Sequence, residues 1–157
     1  MRRIGLSGVV ATVLAAGVLG AWLLPASSQQ GRTIRIYERP GFERFINNDG
    51  KRRLAGDVVI QVNPLYRTGT KKRVGRDVVD VTLMRQIGRN NAIFRVNATF
   101  VLGAGKIEAA GTSTFSHLRN GAAFTVTGGT GRYAGATGTV NVREARRRTF
   151  FTFSLNT

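Results

Sequence analysis

Two sets of residues in this chain have types suited to chemistry: a solitary histidine and a small group of carboxylates. His117 is the only His, and there is no Cys anywhere. A zinc site or a Ser-His-Asp triad would therefore need partners that the sequence around His117 does not supply, and a surface or barrel-end position suits it better. Disulfide frameworks, Cys-ligated metals and Cys nucleophiles are excluded outright. The acids are Glu38, Glu43, Asp49, Asp57, Asp77, Asp80, Glu108 and Glu144, set against 24 Lys and Arg. Most of them are expected to offset nearby arginines. Glu38 differs because Ile34 and Ile36 share its strand parity, so a strand that turns those isoleucines inward carries the carboxylate inward with them. An internal carboxylate pairs with a cation, serves as acid or base, or stabilises a developing positive charge.

The segment GGTGRYAGATG, residues 128 to 138, places Gly129, Gly131 and Ala134 at the spacing of a dinucleotide-binding fingerprint. That fingerprint needs a helix directly after the loop to face a pyrophosphate, whereas Thr139, Val140 and Val142 continue as β-formers. The glycines suit a tight hairpin or bulge instead. Basic residues gather at Lys51, Arg52 and Arg53, at Lys71, Lys72, Arg73 and Arg76, and at Arg146, Arg147 and Arg148. No aromatic is interleaved within those clusters to stack bases, which disfavours nucleic acid. Solubility and attraction to an anionic envelope or matrix polymer account for them better.

The elements that must position these side chains are strands. The chain has 157 residues, 42% hydrophobic and 20% charged, with 20 Gly and a formal net charge of +16, which suits one folded domain with a core. Short alternating runs rich in β-branched and aromatic residues recur from Arg32 onward, with no sustained helical period. Strands are expected at Thr33 to Glu38, Asp57 to Asn63, Asp77 to Ile87, Ala92 to Leu102, Lys106 to Leu118, Ala122 to Thr127, Thr137 to Glu144 and Arg148 to Leu155. Short connections rich in turn formers, such as Gly88 to Asn91 and Gly103 to Gly105, favour consecutive hairpins. The fold class that follows is all-β, an eight-stranded antiparallel up-and-down (calycin-like) barrel or a sandwich, the barrel having room for one small apolar ligand.

Before this domain, Arg2 and Arg3 precede an uncharged apolar run from Ile4 to Leu24, and then Pro25, Ala26, Ser27 and Ser28. That order reads as an export signal, so residues 1–28 are expected to be a signal peptide or an uncleaved N-terminal anchor and residues 29–157 the mature domain. Removing the leader takes away two arginines and no acid, so the basicity belongs to the domain. A secreted or cell-envelope location follows, with the membrane touched only through that segment.

The runs GDVVIQVNPLY at 56–66, KKRVG at 71–75, FTVTGGTGRYAGATGTV at 124–140 and FFTFSL at 150–155 resemble, in order and spacing, the allene oxide cyclase family and its dirigent-like relatives. The resemblance covers nearly all of the mature domain. It implies a small eight-stranded barrel whose lumen holds an apolar, unsaturated substrate, works without cofactor or metal, and assembles as a trimer. Tyr37 and Glu38 match the family's first-strand pair, whose Glu is implied to stabilise the cation formed as an epoxide opens. Asn63 matches one of two asparagines that hold an ordered water, while Pro40 stands where the family has the other. Val81 occupies the place of a frequent Cys, and Ala123 that of a lumen aromatic. If Asn63 faces the lumen, then Val58, Ile60 and Val62 face outward and need cover, which a subunit interface would give.

The expected function is that of an exported allene oxide cyclase-like or dirigent-like barrel, an isomerase in class if catalytic, that binds a small apolar unsaturated ligand and promotes or steers its cyclisation. Glu38 and Asn63 are the expected catalytic residues. The alternative is a non-catalytic ligand-binding or envelope barrel drawn to anionic surfaces by its arginines.

Overall fold

A computed structural model describes residues 31–47, 50 and 55–156. The expected leader, residues 1–28, and the Lys51–Arg53 cluster lie outside the described residues. Nine strands, β1 (Arg32–Glu38), β2 (Phe42–Ile46), β3 (Val58–Arg67), β4 (Arg73–Gly88), β5 (Asn91–Leu102), β6 (Gly105–Thr114), β7 (Ala122–Gly129), β8 (Thr137–Ala145) and β9 (Arg148–Asn156), accompany one short helix, α1 (Phe115–Asn120). Eight of the strands close into an antiparallel barrel in the order β1-β9-β8-β7-β6-β5-β4-β3, and β1 pairing with β3 completes the ring. No helix among the described residues is long and apolar enough to cross a membrane.

The expected strands are all present, with three differences. First, β6 stops at Thr114 instead of running to Leu118. The Thr114 hydroxyl accepts the His117 backbone N–H at 3.2 Å and so caps a helical turn that Gly121 ends at φ 105°. Second, β3 runs on to Arg67 through Pro64, whose carbonyl accepts the Arg39 N–H. Third, β2 has no counterpart among the expected strands. Pro40 and Gly41 interrupt the first strand, and the chain resumes along the same edge of β3: β1 pairs with Leu65 to Arg67, β2 with Val58 to Val62. Gly41 is obligatory at that bend, since a Cβ there would meet the Val62 carbonyl oxygen at 2.2 Å.

One end of the barrel is solid. Phe100, Phe153, Leu65, Ile107 and Leu155 are fully buried there, and the Phe100 ring meets Phe153 edge-on at 4.9 Å and Phe151 at 5.0 Å. The glycine-rich segment belongs to this plug. It forms a single 3-10 turn, Gly131–Tyr133, with Gly131 at φ 61°, and buries Tyr133 and Ala136 beneath the barrel. A strand and no helix follows it, which agrees with a structural role for the glycines. Along β3, the outward side chains Val58, Ile60 and Val62 are half-buried, and Phe42 and Val78 flank Val62 on that face, Phe42 being 60% exposed.

Candidate functional site

The other end of the barrel is hollow. A cavity of about 690 Å³ occupies it. Its volume arises from residue size: Val59, Val79, Val81, Ala92, Ala98 and Ala109 point inward where the plugged end has Phe, Leu and Ile. Phenylalanines supply much of the remaining wall, with Phe94 packed on Phe115 of α1 at 5.0 Å and Phe124 and Phe151 deeper. Gly111 makes room for Phe124, because a Cβ there would touch the ring at 2.9 Å. Phe45 of β2, 47% exposed, stands at the mouth.

Glu38 reaches this cavity. Ile36, two residues earlier on the same face, is in the core, so strand parity carries the carboxylate inward as expected. Asn63 is 5% exposed on the inner face of β3 and sits at the centre of the arrangement. Its Nδ2 donates to Glu38 Oε2 at 3.1 Å, and its Oδ1 accepts the Gly41 N–H at 2.9 Å. One amide therefore spans the bend between β1 and β2 and fixes the carboxylate at the point where the strand breaks. The structure thus brings both sequence-derived site residues together. Among the described residues, no guanidinium pairs with Glu38.

Behind them lies a residue that sequence reasoning passed over. Asp77 of β4 is 0% exposed and pairs in register with Asn63. Its Oδ1 accepts the Asn63 N–H at 3.1 Å, and its Oδ2 has no hydrogen-bond partner among the described residues. Burial first, and then the neighbouring Glu38 carboxyl, push the Asp77 carboxyl up to about 8. Asp77 thus keeps its proton at neutral pH and can offer it to Glu38. The neutral acid at Asp77 occupies the position that water cannot reach.

Other assignments need adjustment. Ala123 is exposed and faces outward, while Ala122, Phe124 and Val126 form the inner face of β7, so the lumen aromatic at this place is Phe124. Val81 does line the cavity. Tyr37 is turned away from the cavity and is buried, stacked on Tyr66 at 5.4 Å, under the Arg148 guanidinium at 4.9 Å and donating to the Thr70 carbonyl oxygen at 3.2 Å. His117, Arg95 and Arg132 are exposed and do not line the cavity. Among the described residues, no group of three or more His, Asp or Glu side chains is placed to hold a metal ion.

The closed antiparallel barrel is a fold that this chain shares with several solved structures. Among solved structures, a pyocyanin demethylase superposes with a TM-score of 0.69 at 23% identity, covering 80% of this chain and 100% of that one. AbnU, described as an exo-specific intermolecular Diels-Alderase, gives 0.65 at 17% identity, with 81% and 98% covered. The pterocarpan synthase dirigent protein GePTS1 gives 0.64 at 14% identity, with 82% and 86% covered. At these identities the likeness is one of fold. No protein-family model matches the sequence, and no curated protein matches it.

Proposed function

We propose that this protein is an exported barrel of the allene oxide cyclase or dirigent type that binds a small, largely apolar unsaturated ligand and promotes or steers its cyclisation. The observation that carries this reading is Glu38, a carboxylate at the wall of a large apolar cavity, held by Asn63 and unpaired with any described cation. A carboxylate so placed favours a transition state in which positive charge develops on the ligand, and water exclusion by the phenylalanine walls strengthens that attraction. The shape of the cavity holds one conformer of a flexible chain, which lowers the entropic part of the barrier and decides which face closes. No cofactor is required for either contribution. The fold neighbours support the reading, since two of the three are described as a Diels-Alderase and a dirigent protein.

Export rests on the Arg2, Arg3 and Ile4 to Leu24 pattern, and a secreted or envelope location goes with it. Self-association, as a trimer by family resemblance, would cover the outer faces of Val58, Ile60 and Val62. The surface arginines would attract anionic polymers.

The direct test supplies an allene oxide generated in situ from a fatty-acid hydroperoxide, together with a panel of linear polyenes, and analyses products by chiral chromatography. Optically biased cyclic product from the parent, reduced to the racemic background by Glu38→Gln at an unchanged melting temperature, is expected. Full stereochemical bias from Glu38→Gln would refute the assigned role. Stoichiometric retention of a ligand in native mass spectra of protein from its source, with no turnover across the panel, would favour the carrier alternative.

A further inference from the structure

The exposed apolar side chains of this barrel gather toward its open end. Among the described residues the exposed large hydrophobics are Phe42, Phe45, Val78, Met84 and Ile87. Phe42 and Val78 flank Val62 on the outer wall. The other three stand at the mouth, and none is at the plugged end. Phe45, 47% exposed, lines the entrance itself, while Met84 at 47% and Ile87 at 46% lie outside the cavity lining, on the β4–β5 hairpin. Every residue of that hairpin from Met84 to Asn90 is exposed. Its two register shifts fall between Leu83 and Arg85 and between Gln86 and Gly88, so Met84 and Ile87 are the bulged residues, and a bulge re-aims the side chain it carries.

The base of the hairpin is fixed. Asn91 Nδ2 donates to Ser116 Oγ at 3.2 Å, and Asn91 Oδ1 accepts the Ser116 N–H at 3.3 Å, which ties the hairpin to α1. Arginines are interleaved with the apolar tips: Arg85 and Arg89 alternate with Met84 and Ile87, Arg119 is on α1, and Arg146 and Arg147 form the β8–β9 turn at the same end, all exposed. The exposed acids there are Glu144 and Glu43, the latter held by Gln61 Nε2 at 2.8 Å. Apolar tips set among guanidinium groups suit the surface of an anionic bilayer, where the tips enter the headgroup region and the cations meet phosphates. A soluble polyanion would use the arginines and leave Met84 and Ile87 in water. A second copy seated mouth to mouth would set these arginines against their own like charges.

We propose that the open end of the barrel docks on an anionic lipid bilayer, with Met84, Ile87 and Phe45 dipping into the headgroup region and Arg85, Arg89 and Arg119 on the phosphates. The net charge of +16 draws the protein to such a surface from a distance, and the apolar tips decide which end settles on it. Docking in this orientation puts the mouth of the cavity against the leaflet, the compartment in which a sparingly soluble apolar ligand collects. Only that use rests on the cyclisation reading; the docking itself stands without it.

The test is flotation with vesicles of pure phosphatidylcholine and of equimolar phosphatidylglycerol and phosphatidylcholine. The parent is expected to prefer the anionic vesicles. Met84→Ser/Ile87→Ser should weaken that binding about tenfold at an unchanged melting temperature, since both side chains are exposed. Arg85→Gln/Arg89→Gln should weaken it by roughly fivefold for each charge removed. The chain has no Cys, so an environment-sensitive fluorophore can be attached at Ile87→Cys or, at the plugged end, at the exposed Ala104→Cys. Anionic vesicles are expected to shift the emission of the first label to the blue and leave the second unchanged. Vesicle binding that Met84→Ser/Ile87→Ser does not weaken would overturn the proposal in favour of plain electrostatic adsorption or attachment through residues 1–28, and so would equal responses from the two labels. No binding to the anionic vesicles would also overturn it, while leaving the chiral product assay, and with it the cyclisation reading, to be judged separately.

Discussion

The two ends of the barrel are built from the same strands with the same in-out alternation, yet one is a plug and the other a chamber. Strands β5 and β9 make the contrast plain. Phe100 and Phe153 close one end with edge-on rings, while Ala92, Val96 and Ala98 on the same face of β5 leave space at the other. The polar cluster sits where the two ends meet: Glu38 lines the chamber and pairs in register with Leu65 of the plug, and Asp77 pairs with Phe100. The plug stabilises a shape that also carries a void and a buried carboxyl group, both of which cost stability. Alternation builds the cylinder, and residue size and polarity decide which half of it can work.

The largest effect should come from breaking the plug. Phe153→Ala is expected to cost about 3–5 kcal/mol and to lower the melting temperature by on the order of 10 °C in thermal denaturation followed by circular dichroism. Filling the chamber should do the reverse. Val81→Trp projects a large ring into existing space and is expected to weaken ligand binding by roughly tenfold or more in titration, with the melting temperature held or raised.

The carboxyl pair yields a pH-dependent difference. Asp77 is raised in the folded protein, to about 8 from an ordinary 3.8, so the native state binds the extra proton between those values. Its contribution is fully present below about pH 4 and is lost as pH rises toward 8. Asp77→Asn imitates the protonated acid, since its Oδ1 can still accept the Asn63 N–H and its Nδ2 can donate toward Glu38. Melting curves from pH 4 to pH 8 should therefore fall less steeply in the variant than in the parent. A parallel decline in both proteins would exclude Asp77 as the titrating group. The smallest expected effect on the fold is at the outer wall. Val62→Lys should leave the melting temperature of the barrel nearly unchanged and, for the trimer proposed above, reduce the mass measured by light scattering to that of a monomer; an unchanged mass would exclude this face as the subunit interface.

How much of this was legible depended on parity. Glu38 could be placed because Ile34 and Ile36 share its face, whereas Asn63 came from the family resemblance alone, since the more apolar face of its strand is that of Val58, Ile60 and Val62. The same signal existed for Asp77, which alternates in phase with Val79, Val81 and Leu83, but a carboxylate among so many arginines invited pairing as its explanation. Ala123 was placed one residue out of phase, and on a strand that error turns a side chain to the opposite face. β2 was hidden because Pro40 and Gly41 look like the end of a strand. Only the pairing with β3, a long-range contact, reveals them as a bend within one edge. His117 is exposed, as its solitary place in the sequence implies, and it sits on a short helix where the β-rich run predicts strand.

The bond pattern at Asn63 has one further consequence. The same amide group grips the last residue of β1 through one atom and the residue before β2 through another. Widening the entrance by swinging β2 outward would strain the tether that aims the carboxylate, so the width of the mouth and the aim of Glu38 are mechanically joined at a single side chain.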